Sequence, residues 1–508
     1  MKISVSARYL LAHQDTRHVL VDNGTVVHED GVILYAGPSS DAPPAEEHRD
    51  LGDALLMPGL IDLDALSDID HLILDSWASG ELARGHLWSE EYFRDRRENV
   101  FTAEERQDVR RYALIQLALH GVTSFMPIAS EIHSSWAEGF DELVGMAETS
   151  RQLGLRAFLG PAYRSGVNVA LEDGSVGVLF DEERGREGLE DAIRFLDYAD
   201  GLGDPLVTGV LLPCRIETLT RELLDETARI SRERDVLVRL HSLQGLNERA
   251  LVIEHHGMTP LDLLDDAGLL GDRLLIPHAL FLDRHPRVHG EDRGDLARLA
   301  ASGASVVHCP LTSMRYGEAL DSFPAYIDAG VPMALGTDSF PPDLIRGMDA
   351  GWHLAKIVEG RRDAVRLSDY VDAATLGGAR ALRRPDVGRL APGAQADFVA
   401  FGLGDLRDGV HEDPLRTLIL NGSARQCVLS VVAGRTVVDD GGIPGLDTAR
   451  WRRRGQELFD RMRAAYSGRD ERGRSPAELF PPVYPRAAGT GAGTGRARNA
   501  SPASLSAR

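Results

Sequence analysis

From residue 54 onward the chain alternates short apolar runs with longer stretches of helical pattern, and no other feature constrains the fold as much. The runs are ALLMPGLID, GVTSFMPIA, GLRAFLGPA, VTGVLLP, VLVRLHS, RLLIPHA, ASVVHCP and VPMALGTD, eight strand candidates over about 285 residues. Helical patterns fall between several of them. In FTAEERQDVRRYALIQLALHG, Thr102 and Glu105 form a capping box and Gly121 supplies a stop. LTRELLDETARISRER is a second helix, ending just before VLVRLHS. Strands that alternate with helices pack as a parallel sheet covered by those helices, and eight such units are the plan of a (β/α)8 TIM barrel. The expected fold class is therefore α/β, with the barrel over residues 58–385.

The two ends of the chain have another texture. VLVDNGTVVHEDGVILYAGP alternates apolar positions around Asn-Gly and Asp-Gly, both hairpin signals. GRLAPGAQADFVAFGL and QCVLSVVAGRTVVDDGG are similar in style. Residues 1–57 and 386–445 are expected to pair as a composite small β-sandwich domain flanking the barrel. Residues 446–486 read as a charged helical extension. The low-complexity tail AAGTGAGTGRARNASPASLSAR, residues 487–508, reads as disordered.

A formal net charge of −22 makes nucleic acid and anionic membrane surfaces poor partners, since both are themselves anionic. No stretch approaches the ~18 apolar residues of a membrane span. MKISVSARYLLAHQDTRHVL lacks the unbroken apolar run of a signal peptide. Cys214, Cys309 and Cys427 are far apart, form no CxxC and imply no disulfide framework. A cytoplasmic location and a small-molecule substrate are expected.

In a barrel of this kind the chemistry lies where strands end. The first strand ends in IDLDAL, giving Asp62 and Asp64; the fifth ends in His241, the sixth in His278, the seventh in His308 and the eighth in Asp338. Carboxylates and imidazoles are metal-ligand types, and they recur at most of these ends. Asp68, Asp70 and His71 follow the first strand in SDIDH, as ligands in a shifted register or as a solvated acidic loop. His86 and His133 lie in loops after early strands and read as surface or pocket-wall residues.

Taken together, MPGLID, RLHSLQG, MTPLDLLDDAGLLGDRLLIPHALFL, ASVVHCPLTSM, ALGTD, ATLGGARAL and VVAGRTVVDDGG resemble segments of the amidohydrolase superfamily, in its aminohydrolase and chlorohydrolase (cytosine/guanine deaminase-like) branch. The likeness runs over residues ~17–445 in order and spacing. It implies a metal held by His-x-His from strand 1, histidines from strands 5 and 6, and an aspartate from strand 8. It also implies a metal-activated water and, in deaminating members, a strand-5 glutamate that shuttles a proton to the substrate ring. His241, His278 and Asp338 match that pattern. Asp64 and Leu66 stand where the strand-1 histidines are expected, Gln244 where the glutamate is, and Thr312 and Ser313 where Ser-Asn is.

Leu66 cannot bind a metal, whereas the carboxylate of Asp64 can. The implied metal set is Asp64, His241, His278 and Asp338, holding one divalent ion (Zn, Fe or Mn). Asp338 is the implied general base, with His278 and Gln244 beside it in the catalytic group. Gln244 cannot transfer a proton as glutamate does, but it can orient a substrate. His308, Trp88 and Trp77 are candidate substrate contacts. Cys214 and Cys309 have no activating partner in the sequence and are not expected as nucleophiles. The resemblance implies a metal-dependent hydrolase of a C–N or related bond in a small polar nitrogen-containing compound, and a homo-oligomer, dimer or larger. The lost histidines keep two alternatives open: a metal-independent acid/base enzyme on the same barrel, and a non-catalytic binding protein.

Overall fold

The computed structural model describes residues 1–69, 87–128 and 134–485. Asp70, His71, Trp77, His86, His133 and the 487–508 tail lie outside the described residues.

The two chain ends meet in one eight-stranded sheet. Ile3–Gln14 and Arg17–Glu29 form a long antiparallel hairpin, and Val32–Pro38 extends it on the far side. Its turns fall at Asp15 (φ +55°) and at Asp30-Gly31 (φ +50° and +80°). The Asn23-Gly24 pair is not a turn. It sits inside the second strand with Asn23 at φ +51°, and the register continues on both sides, Tyr9 facing Asp22 and Ala7 facing Gly24. Asparagine tolerates the left-handed conformation, so the dipeptide kinks a strand here instead of reversing it. Ala54–Pro58 runs parallel to Ile3–Gln14 and antiparallel to Phe398–Gly402. Glu47–Asp50 pairs in parallel with the start of Ile3–Gln14, and Cys427–Val432 and Arg435–Asp439 complete the sheet. Leu10, Val26, Ile33, Leu56, Phe398 and Leu429 share its buried core.

The run ALLMPGLID is two strands in two sheets. At Gly59 the chain leaves this sheet and enters a parallel one as Leu60–Leu66. A Cβ on Gly59 would lie 2.1 Å from Thr123 Oγ1, so only glycine permits the crossing. Leu60–Leu66, Val122–Ile128, Arg156–Leu159 and Val207–Gly209 form one four-stranded parallel sheet. Val238–Arg239, Leu274–Pro277, Ser305–His308 and Met333–Leu335 form another. Leu211 bridges to Val238 in parallel, and Asp338 N donates to the Asp64 carbonyl at 2.8 Å, so each sheet edge touches an edge of the other. Seven of these eight strands fall within the expected apolar runs, and the first, Leu60–Leu66, begins in ALLMPGLID and runs four residues past it. Helices separate them, among them Ala103–Leu119, Phe140–Leu153, Glu182–Leu202, Arg221–Arg234 and Leu344–Glu359.

The capping box forms as the sequence indicates: Glu105 N donates to Thr102 Oγ1 at 3.2 Å and Thr102 N to the Glu105 carboxylate at 2.9 Å. The helix gives way at His120, and Gly121 follows at φ +79°. One strand face packs on the helices through Phe125, Val238, Ile276, Val306 and Leu335. The other contributes Met126, Phe158, Leu275, Val307 and Ala334 to an inner cluster. Residues Thr448–Arg469 form a helix whose Leu458, Met462 and Tyr466 cluster with Ile69, Phe101 and Val109.

Candidate metal centre and adjoining cavity

Asp64 sits at an irregularity in its strand. The register with the neighbouring strand shifts between Asp62, opposite Phe125, and Ala65, opposite Pro127, so two residues face one. A bulge of this kind re-aims side chains next to functional sites. Asp64 is completely buried. Its Oδ1 accepts from Arg239 Nη1 at 2.9 Å, and its Oδ2 lies 3.3 Å from His241 Nε2 and 3.9 Å from His278 Nε2. His278 Nε2 is in turn 3.5 Å from Asp338 Oδ2. Ligand atoms of Asp64, His241 and His278 all fall within 4.8 Å of one another. Three of the four expected ligands thus converge, and Asp338 stands against the third.

The tautomer of His241 matters. Its Nδ1 is 3.0 Å from the Cys214 carbonyl, which can only accept, so Nδ1 carries the proton. Nε2 then faces Asp64 Oδ2 at 3.3 Å, placed to donate to the carboxylate when the ring is protonated and to share a cation with it when the ring is neutral. His278 is similarly disposed: burial and then the charge of His241 push its imidazole well below the usual range, and its Nε2 has no hydrogen-bond partner. Burial raises the Asp64 carboxyl, but His241 and Arg239 outweigh it and hold the group below the ordinary carboxylate range. The donor set therefore fits a divalent cation. Arg239 already gives Asp64 a positive partner, at a position where a guanidinium competes with a metal for the same carboxylate.

The surrounding groups fix this geometry. Asp62 accepts from Thr337 N (3.0 Å), Thr337 Oγ1 (2.7 Å) and Asp64 N (3.2 Å), tying the first strand to the segment that carries Asp338. Its burial pushes it up to about 7. Thr312 Oγ1 donates to the Asp338 carbonyl at 2.6 Å, fixing the backbone there, and Thr312 and Ser313 also line the adjoining cavity. His278 (φ +71°) and Asp338 (φ +42°) both hold left-handed backbone, uncommon for residues with a Cβ and concentrated at functional sites. Cys309 Sγ donates to Asp64 Oδ2 at 3.5 Å, and burial keeps its thiol well above the usual range, which makes it a donor and not a nucleophile.

A cavity of about 550 Å³ adjoins the cluster through His278. Gln244 and Trp88 line it, together with Asn168, Arg215, Glu217 and Glu248. Trp88 is buried, 5.2 Å from the Phe93 ring and with the Arg164 guanidinium over its face. His308 takes a different place. It ends its strand but packs 5.3 Å from the Phe323 ring and 6.3 Å from Tyr370, and it is not among the cavity-lining residues. Arg239 was legible in VLVRLHS, since a strand puts residues two apart on one face and His241 follows by two. Asn168, Glu217 and Glu248 come from a hairpin, a single turn and a helix, and nothing in their spacing points to a shared cavity.

Strand-end carboxylates and imidazoles thus meet beside a cavity on an α/β fold. Residues 55–437 match the amidohydrolase family, and the chain belongs to that family. Among curated relatives, the 8-oxoguanine deaminase of Pseudomonas aeruginosa is 29% identical over 371 residues, covering 72% of this chain and 77% of its own. The 5-methylthioadenosine/S-adenosylhomocysteine deaminase of Halobacterium salinarum is 30% identical over 388 residues, covering 74% and 79%. Among solved structures, a zinc-bound adenosine deaminase from Xanthomonas campestris superposes with a TM-score of 0.70 at 23% identity, over 91% of this chain and 98% of that one. A zinc complex of an atrazine chlorohydrolase from Arthrobacter aurescens does so with a TM-score of 0.70 at 20% identity, over 90% and 100%. Family membership makes the chain a hydrolase of the class that acts on carbon–nitrogen bonds other than peptide bonds. Among the described residues no helix is long and apolar enough to cross a membrane.

Proposed function

We propose that the eight parallel strands close as a (β/α)8 barrel, that the flanking sheet folds on itself as a small sandwich, and that the mouth of the barrel is a mononuclear hydrolase centre. Asp64, His241 and His278 would hold one divalent ion, with Asp338 beside it. A divalent cation supplies Lewis acidity and makes water a competent nucleophile near neutral pH. Asp338 Oδ2, 3.5 Å from His278 Nε2, is placed to accept the proton that water loses. Gln244 binds and orients the substrate from the cavity wall, because its amide cannot carry a proton between water and leaving group. The substrate is a small nitrogenous compound that loses an amino or related substituent.

The observation that carries this reading is the convergence of Asp64, His241 and His278, whose ligand atoms all lie within 4.8 Å of one another. Release of ammonia from a panel of aminated purines, pyrimidines and triazines tests it, using protein loaded with zinc, manganese or iron. Asp338→Asn should lower turnover of any accepted substrate at least a hundredfold, in the range expected for a lost general base. Full turnover in that variant removes the assigned role.

One observation favours a second reading, a metal-independent acid/base enzyme. The Arg239–Asp64 ion pair already neutralises the carboxylate. On this reading turnover survives chelation.

A further inference from the structure

Gln244 lines the cavity, and the turn that carries it is held from behind. Leu243, the residue before it, holds left-handed backbone at φ +60°, uncommon for a leucine. Leu243 N donates to Glu248 Oε1 at 2.5 Å, and Gln244 N donates to Glu248 Oε2 at 2.9 Å. The Leu243 carbonyl accepts from Phe281 N at 2.9 Å, three residues past His278. Glu248 lies on the first turn of the Leu246–His256 helix, whose N-cap is Gly245, with no side chain to cap it. Glu248 borders the cavity, yet both of its oxygens are taken up by backbone N–H groups, in a residue 3% exposed. Arg249, next on the same turn, donates from Nη2 to Asp283 Oδ1 at 2.5 Å, and Asp283 Oδ2 accepts from Arg293 Nε at 2.5 Å. One helical turn thus grips the turn after His241 through Glu248 and the loop after His278 through Arg249.

We infer that Glu248 is a positioning residue, which acts through the Leu243–Gln244 backbone to hold the Gln244 side chain at the cavity. A left-handed residue with a Cβ persists only where its surroundings fix it, and here Glu248 fixes Leu243 on one side and Phe281 on the other. A change of φ at Leu243 swings the chain that follows, and Gln244 is the first residue to move. A carboxylate suits the task, because it offers two acceptors and no donor to two successive N–H groups. Glutamine in its place sets an NH₂ group against one of those N–H groups, and alanine leaves both without an acceptor. Bonds behind a site decide how precisely the groups in front of them are held. The inference rests on Gln244 orienting the substrate of the proposed hydrolase, and it adds the residue that keeps Gln244 in place.

Hydrogen exchange of the full chain, treated with chelator and followed by mass spectrometry on peptides covering residues 242–248, tests the hold itself without metal or substrate. Glu248→Ala should speed exchange of this segment at least tenfold, and Glu248→Gln by a smaller factor. Leu458→Ala, in the cluster under the C-terminal helix, is a destabilised control and should leave the segment as in the wild type. Steady-state kinetics on a substrate accepted in the ammonia-release panel tests the role. Glu248→Ala should raise KM at least tenfold and Glu248→Gln less. In a Gln244→Ala background, Glu248→Ala should add less than about twofold, because a residue that acts through Gln244 then has nothing left to position. If Glu248→Ala does not fold, Glu248→Gln carries both measurements. Unchanged exchange in the Glu248 variants, or a KM effect that persists in full without the Gln244 side chain, would overturn the assignment. Faster exchange in Glu248→Ala, with no substrate turned over by the wild type, would count against the hydrolase reading alone. Turnover by the wild type with unchanged exchange in the variants would count against this inference alone.

Discussion

Arg239 decides much at the scale of single residues. Its guanidinium is 2% exposed and meets a fully buried carboxylate at 2.9 Å. Removing one partner of such a pair leaves a charge uncompensated in a low-dielectric interior, which costs about 3–5 kcal/mol. A cation bound by Asp64 would restore the balance, and anything that binds only the folded state raises its stability. Chelator-treated Arg239→Leu should therefore melt well below the wild type, and added zinc should raise its Tm more than it raises that of the wild type. Equal zinc shifts in the two proteins would mean that Arg239 and a metal do not share Asp64. The substitution of histidine by aspartate was legible in the sequence, and so was its capacity to bind metal. Strand periodicity in VLVRLHS puts Arg239 on the face of His241, but its pairing with Asp64 was not readable, because an arginine at a strand end is usually solvated.

At the scale of elements, the site depends on how closely the first and last parallel strands approach. Gly336 is where they touch: a Cβ there would lie 2.5 Å from Asp64 Cβ and 3.0 Å from both Asp64 N and Cys309 Sγ. Gly336→Ala must move Asp64 or the strand, an overpacking cost of about 1–3 kcal/mol, and should weaken metal retention. Gly347 makes a control, since its Cβ would meet nothing within 4 Å inside the Leu344–Glu359 helix. Gly347→Ala should be neutral or stabilising by about 0.5–1 kcal/mol. A Gly336→Ala protein with unchanged melting and metal content would show that the contact is not constraining. The eight strands were legible because each is a short apolar run with turn signals at its ends. The division of ALLMPGLID between two sheets was not, since a buried run reads the same whichever sheet it joins, and the Asn23-Gly24 kink was masked by a dipeptide that usually reverses a chain.

At the scale of the whole molecule, buried histidines make folding sensitive to acid. Burial pushes His308 down to about 3 and His18 down to about 4. His18, on the second strand of the eight-stranded sheet, has its Nε2 3.0 Å from Thr375 Oγ1. Below its ordinary value near 6.5 each histidine takes up a proton in the unfolded chain but not in the folded one, so the unfolded state gains as pH falls. Their contribution to stability is complete above about 6.5 and is lost progressively toward 3 to 4. Carboxyls that burial raises, Asp62 among them, act in the opposite direction, so the clean readout is a difference between variants. Between about pH 7 and about pH 4 the urea midpoint of the wild type should fall further than that of His308→Phe. Parallel pH profiles would mean that His308 is not held neutral. The family and its α/β architecture were legible over most of the chain because order and spacing of strand-end motifs survive sequence drift. The cavity wall was not, because Asn168, Glu217 and Gln244 are brought together only by tertiary packing.

The central claim is that Asp64 has taken over part of a metal site from the missing histidines. Elemental mass spectrometry on protein purified without a metal-affinity column tests it most directly, with Asp64→Ala and His278→Ala alongside the wild type. The expected result is about one divalent transition metal per chain in the wild type and loss of it in both variants. No metal in the wild type after incubation with zinc, manganese and iron in turn, or undiminished metal in both variants, would contradict the claim.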